Sequence, residues 1–143
     1  MKGIMMKKWL VALVSIMVLS SFISCRQNTT KPSLERLYKG SYEAFDTSMI
    51  QKVSMNDLSA DTDTYLGSFI ETEGKIISLC SVGCFFYIQD DDNNRFYVNL
   101  SPKGFDVPQT AMGKRVRVMG IFEKKATTLS IVAYEVEFLD VNP

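Results

Sequence analysis

The sequence predicts an all-β fold with a small α contribution, and three observations carry that expectation. From Tyr65 onward apolar and polar residues alternate with a period of two, as in strands that keep one face in a core. Turn-forming clusters cut this stretch into five runs, with one longer connector between the third and the fourth. The first run carries Gly74 in its interior, a residue that marks a bulge or a sharp bend where a strand curls around a small barrel.

Each element follows in order. Phe69 to Leu79 is the first strand and Cys84 to Gln89 the second. Asp91-Asp92-Asn93-Asn94 is a turn cluster, after which Arg95 to Leu100 alternates with Phe96, Val98 and Leu100 on one face. The connector, Ser101 to Gly113, contains Pro102 and Pro108 and predicts a helical turn around Pro108 to Met112. Lys114 to Phe122 then sets Val116, Val118 and Phe122 on one side, and Leu129 to Leu139 sets Val132, Tyr134, Val136 and Phe138 together. Three meandering strands, a short connector helix and two more strands form the order of the oligonucleotide/oligosaccharide-binding (OB) barrel. A five-stranded OB-fold barrel over residues 65–143 is therefore expected, with an SH3-like barrel and an open meander as its competitors. Ahead of it, residues 34–64 predict a helical or irregular N-terminal extension. Leu34, Leu37, Tyr38, Ala44 and Phe45 are loosely helical in spacing, Gly40 and Ser41 interrupt them, and Val53 to Leu58 leads into the acidic turn Asp61-Thr62-Asp63.

The first 24 residues read as an export signal. Lys2, Lys7 and Lys8 form a positive lead, and Trp9 to Leu19 is apolar except for Ser15, shorter than a membrane span requires. The signal ends at Phe22-Ile23-Ser24-Cys25, where bulky Phe22 spoils an ordinary signal-peptidase site. This tetrapeptide resembles a bacterial lipobox, with Phe22 in place of the commoner Leu. The resemblance implies that Cys25 is the lipidated first residue, with residues 25–33 a flexible tether. The expected location is the bacterial cell envelope, lipid-anchored, on the outer membrane facing the periplasm.

Composition narrows the function classes. The chain has 16 basic and 16 acidic residues and no histidine. The missing histidine removes Ser-His and Cys-His nucleophile systems together with His-ligated zinc and haem, and no cofactor is expected. Loss of the signal removes Lys2, Lys7 and Lys8 and no acid, turning a formal charge of zero into −3. That balance argues against nucleic acid as a partner. The acidic trio Asp90, Asp91 and Asp92 sits in a turn and reads as solvated, not as an acid/base pair, so no enzyme is expected.

Two local features remain. In Cys80-Ser81-Val82-Gly83-Cys84 the cysteines face each other across a three-residue hairpin loop with Gly83 at its left-handed position. In an exported chain a disulfide is the simplest reading, with a thiolate metal site or a redox-active dithiol as alternatives. Strand parity sends Phe86 and Ile88 inward and turns Phe85, Tyr87 and Gln89 outward, and it likewise exposes Arg95, Tyr97 and Asn99. Phe85, Tyr87, Arg95 and Tyr97 thus form a candidate ligand-binding face, with Arg115 and Arg117 as further charge. The competing reading has these rings packed beneath residues 33–58.

From about Val53 to Leu139 the chain resembles a group of bacterial periplasmic OB-fold lipoproteins of unassigned function. The matching features are Glu73-Gly74-Lys75-Ile76 before the Cys-x-x-Gly-Cys hairpin, Asp106-Val107-Pro108 in the connector, and Gly113-Lys114 followed by Val116-Arg117-Val118-Met119-Gly120. Phe85 stands where a Trp is expected after the second cysteine. The resemblance implies an OB barrel and names no ligand. Together these readings predict a non-enzymatic binding domain on a membrane anchor at Cys25, taking a small ligand, a glycan or an envelope protein. The alternatives are a nucleic-acid-binding OB module and a thiol- or metal-handling envelope protein.

Overall fold

A computed structural model describes residues 33–44 and 46–142. The segments read as an export signal and a tether, Cys25 among them, lie outside the described residues up to Pro32, as do Phe45 and Pro143. Among the described residues no helix is long and apolar enough to cross a membrane.

Three strands of 11 residues carry the sheet: β3 (Phe69–Leu79), β6 (Arg115–Lys125) and β7 (Thr128–Phe138). Two strands of five residues, β4 (Phe85–Gln89) and β5 (Arg95–Asn99), stand between β3 and β7. β6 pairs antiparallel with β3 on one edge and with β7 on the other. β4 pairs with β3 and β5, and β5 runs parallel to β7, so the pairing returns to its start in a ring. The length mismatch has a consequence. β4 covers only Lys75 to Leu79 of its neighbour β3, and β5 covers only Ser130 to Val132 of β7. The uncovered lengths are taken by β2 (Gln51–Lys52) against Ile70 and Glu71, and by β1 (Leu37–Lys39) against Glu135 to Glu137.

The expected five-stranded barrel is therefore corrected to a seven-stranded sheet. The two added strands come from the segment read as a helical or irregular extension. Residues 37–39 are extended because Tyr38 packs edge-on against Phe138 at 5.5 Å, and the Gly40 N–H donates to the Tyr134 carbonyl. The helical turn expected around Pro108 to Met112 is a single 3₁₀ turn, Gln109–Ala111, with Pro108 at its N-cap, and another 3₁₀ turn, Ser101–Lys103, precedes it in the connector.

Helix α1 (Met55–Ala60) begins where the Ser54 hydroxyl accepts the Asp57 N–H at 3.0 Å and donates to the Asp57 carboxylate at 2.7 Å. It buries Met55 and Leu58, one turn apart, in the same core as the strands. A short helix α2 (Thr62–Tyr65) leads into β3. Gly74 serves this packing: a side chain there would meet Ile88 Cβ and Met55 Sδ, each 3.0 Å from its Cβ. The register shift expected at Gly74 lies instead between Ile76 and Ser78.

Inside the ring Ile70, Ile76, Phe86, Ile88, Phe96, Val98, Val116, Val118, Phe122, Ile131 and Phe138 are fully buried. The shared face expected for Val132, Tyr134, Val136 and Phe138 is broken. A register shift between Met119 and Gly120 places Met119 opposite Glu135 and Gly120 opposite Ala133, so parity changes within β7. Ile131 and Ala133 point inward before the shift, Val136 and Phe138 after it. Gly120 sits at this point because a Cβ would lie 2.1 Å from the Val132 carbonyl oxygen.

Candidate functional site

The outward residues of β4 and β5 are set by register. Phe85 faces Asn99, Tyr87 faces Tyr97 and Gln89 faces Arg95. The alternate residues Phe86, Ile88, Phe96 and Val98 are buried in the ring, which leaves the outer rings half-buried. Tyr97 lies 5.2 Å from Phe85 and 5.4 Å from Tyr87, and Phe85 lies 6.5 Å from Tyr87. Three rings thus form one continuous patch with tilted and edge-on contacts. Partial burial is the first cause raising the Tyr97 pKa, followed by the charges that Cys84, Tyr87 and Cys80 carry when ionised. The Tyr97 hydroxyl stays a neutral donor at physiological pH. The paired parts of residues 33–58 lie along β7 and β3, not along β4 and β5.

Arg95 stands at one end of the patch, donating to Gln89 Oε1 at 3.3 Å. Arg115 and Arg117 do not join it. They are on β6, which pairs with neither β4 nor β5. Arg117 is held by Glu73 at 2.7 Å, Glu137 at 2.9 Å and Glu71 at 3.5 Å. Its pKa is raised, with the Glu73 hydrogen bond as the first cause. Glu137 also takes Arg36 at 2.8 Å, and its pKa is lowered, first by that Arg36 bond and then by Arg117 against the opposing effect of burial.

Asp90, Asp91 and Asp92 build a turn. The Asp90 carboxylate accepts the N–H groups of Asp92 and Asn94 and the side-chain amide of Asn94. Among the described residues no group of three or more His, Cys, Asp or Glu side chains is placed to hold a metal.

Beside the aromatic patch, the β3–β4 loop holds Cys80 and Cys84 with their Sγ atoms 3.1 Å apart. The loop is fastened from outside. Gly83 has φ +76°, its carbonyl accepts the Val107 N–H at 3.1 Å, and a Cβ there would lie 1.9 Å from the Val107 carbonyl oxygen. The Gln109 side-chain amide donates to the carbonyls of Cys80 and Ser81 at 2.8 and 3.0 Å. Sequence reasoning placed the thiols and Gly83 together but missed Val107 and Gln109, whose contacts cross more than twenty residues and leave no local signal.

No protein-family profile matches the chain, and no curated protein matches it. Solved structures do. A structure of a chain described as an aspartyl-tRNA synthetase of Leishmania major Friedlin is similar with a TM-score of 0.51 at 10% identity, over 74% of this chain and 24% of that one. The S. pombe Stn1–Ten1 complex gives a TM-score of 0.49 at 10% identity, over 69% and 86% of the two chains. U. maydis replication protein A bound to single-stranded DNA gives 0.45 at 16% identity, over 74% and 80%. The likeness is distant and of fold alone, an OB-fold-like sheet.

The exclusion of nucleic acid from the partners is withdrawn. It rested on net charge, yet Glu71, Glu73, Glu135 and Glu137 are each ion-paired on other strands, and β4 and β5 carry no acid, Arg95 being their charged residue. Stacking on aromatic rings does not require a basic domain.

Proposed function

We propose that the domain is a non-enzymatic binding module whose β4–β5 face stacks the bases of single-stranded nucleic acid on Phe85, Tyr87 and Tyr97. One observation carries the reading: three contacting, half-buried rings occupy the outward positions of two adjacent strands whose inward positions are fully buried. A core needs its aromatic residues inside, and these are outside. Every base has a π-face, so such a surface tolerates sequence, and the Arg95 guanidinium at its end supplies one phosphate contact. With a single cation at the patch, affinity depends on salt less steeply than for a basic groove.

The export lead-in favours a second ligand of similar geometry, a glycan whose sugar rings lie flat on the same three side chains. In that reading, too, the module is held in the envelope by lipid at Cys25. A titration separates the two. Labelled single-stranded oligonucleotides and soluble oligosaccharides are titrated against the wild type, Tyr97→Ala and Tyr87→Ala by fluorescence anisotropy. Base stacking is worth about 1–3 kcal/mol per ring removed, so each variant loses about 5- to 150-fold in affinity for the true ligand. Saturable oligonucleotide binding that both substitutions weaken supports the first reading. Oligosaccharide binding with no oligonucleotide binding replaces it, and binding unchanged by either substitution removes the face from the site.

A further inference from the structure

The aromatic patch accounts for the rings beside the β3–β4 loop and makes no use of its two sulfurs. Both thiols are free and half-buried, and they touch without being bonded. Three hydrogen bonds from outside, one from the Val107 N–H to Gly83 and two from the Gln109 amide to Cys80 and Ser81, hold the loop in shape, so the thiols do not need a covalent bond to stay in contact. Closing so short a loop also removes little entropy from the unfolded chain. A cross-link here does little for the stability of the fold. The arrangement is instead a preformed dithiol with an exposed rim, since Ser81 and Val82 at the loop tip lie open to solvent.

The geometry points to a thiol–disulfide exchange site in which Cys80 attacks a disulfide bond of another molecule and Cys84 resolves the product. The two sulfurs are not equivalent. The two sulfurs share a hydrogen bond, the Gly83 N–H is taken by the Cys80 carbonyl at 2.9 Å, and hydrogen bonding from Cys84 and the loop backbone favours negative charge on Cys80. Those bonds, the Cys84 thiol first and the Val82 N–H second, bring Cys80 down to about 7. Cys84 moves up, first through its hydrogen bond with Cys80, then through burial and the charge its neighbour carries. An attacking thiol works best when its pKa lies near the ambient pH.

The exchange balances as follows. The Cys80 thiolate attacks one sulfur of the substrate disulfide, forming a mixed disulfide and releasing the other substrate sulfur as a thiolate. Cys84 loses its proton and attacks Cys80 Sγ, already in contact, forming the Cys80–Cys84 bond and expelling the second substrate thiolate. The two protons from Cys80 and Cys84 end on the two released thiols. The chain is oxidised by two electrons and the substrate disulfide is reduced by two.

The test uses the full-length chain carrying Cys25→Ser, reduced and freed of reductant, with oxidised glutathione in one arm and insulin as a protein disulfide in the other. Intact mass and thiol counts are followed. In the parent, both thiols disappear without an adduct, and dithiothreitol restores them. With Cys84→Ser, a mixed disulfide accumulates on Cys80, and its rate of formation rises with pH as Cys80 ionises. With Cys80→Ser, the reaction at pH 7 is slower by at least about tenfold, and the gap closes at higher pH as Cys84 ionises. Reaction in the glutathione arm alone assigns a small disulfide, and reaction with insulin assigns a protein one. Limited iodoacetamide labelling of the unsubstituted pair at pH 7, mapped by peptide mass, is an independent check and labels Cys80 first. The proposal is overturned if both thiols survive in both arms, if Cys84 is labelled first, or if the bond once formed resists dithiothreitol and is therefore a fixed cross-link.

Discussion

Phe96 and Tyr97 are neighbours in sequence and opposites in environment. Phe96 is fully buried against Phe122 at 5.6 Å, whereas Tyr97 stands on the outer face among two other rings. Phe96→Ala should cost about 3–5 kcal/mol of unfolding free energy, in the range of an emptied aromatic core site, and Tyr97→Ala much less. Urea denaturation of the two variants checks this, and equal losses would place Tyr97 in the structural core. Gly83 cannot take a side chain without strain. A side chain there combines a left-handed backbone with a collision at Val107, so Gly83→Ala should lose about 1–3 kcal/mol and slow Cys80–Cys84 exchange as the loop lifts from the connector. Residue-scale features of this kind were legible where they depend on parity, because Phe85, Tyr87 and Tyr97 can be turned outward by counting alone. The partners that fasten the loop were not, since Val107 reaches Gly83, and Gln109 reaches Cys80 and Ser81, only through the folded connector.

At the scale of elements, the five longer strands declare themselves by alternation: β4 and β5 bury every second residue, and that pattern is visible as Phe86-x-Ile88 and Phe96-x-Val98. β1 and β2 have three and two residues, too few for any period to emerge. Their conformation is dictated by the lengths of β7 and β3 that the shorter β5 and β4 leave uncovered. Deletion through Val53 should therefore expose unpaired edges on both long strands, lowering the melting temperature and driving self-association visible by sedimentation velocity. Full retention of both properties would make the two short strands dispensable. α1 was legible in principle from Ser54-x-x-Asp57 ahead of Leu58, but six residues of helix are easily outweighed by the surrounding strand pattern. The register shift in β7 was not legible, because one extra residue reverses every side chain beyond it without altering composition.

Across the described residues, charge is organised as a cluster on β3, β6 and β7 and just ahead of β1, with Arg36, Arg117, Glu71, Glu73 and Glu137 joined by ion pairs. Glu137 has a lowered pKa in the folded state, so its contribution to stability is present above its ordinary value of 4.5 and lost as pH falls through the lower folded value. Melting temperatures of the wild type should fall across that acid range, and Glu137→Gln should flatten the fall; a parallel decline in both would remove Glu137 from the cause. Beyond the described residues, the expectation at Cys25 is tested by fractionation. Wild type should stay with membranes through a carbonate wash and Cys25→Ser should be released, whereas equal retention would sink the lipid anchor.

The β1–β7 pairing brings together residues from opposite ends of the domain, with Arg36 and Glu137 separated by 101 positions along the chain. A chain delivered across a membrane from its N-terminus emerges with β1 first and β7 last. Until residues 128–138 arrive, β1 has no partner, β5 lacks its parallel neighbour and β6 has one bare edge. Such non-local topology folds slowly, in about milliseconds to seconds, and here the closing strand is the final one to appear. For a chain exported in that direction, the order of emergence would work as a built-in delay, keeping the domain threadable until residues 128–138 have crossed.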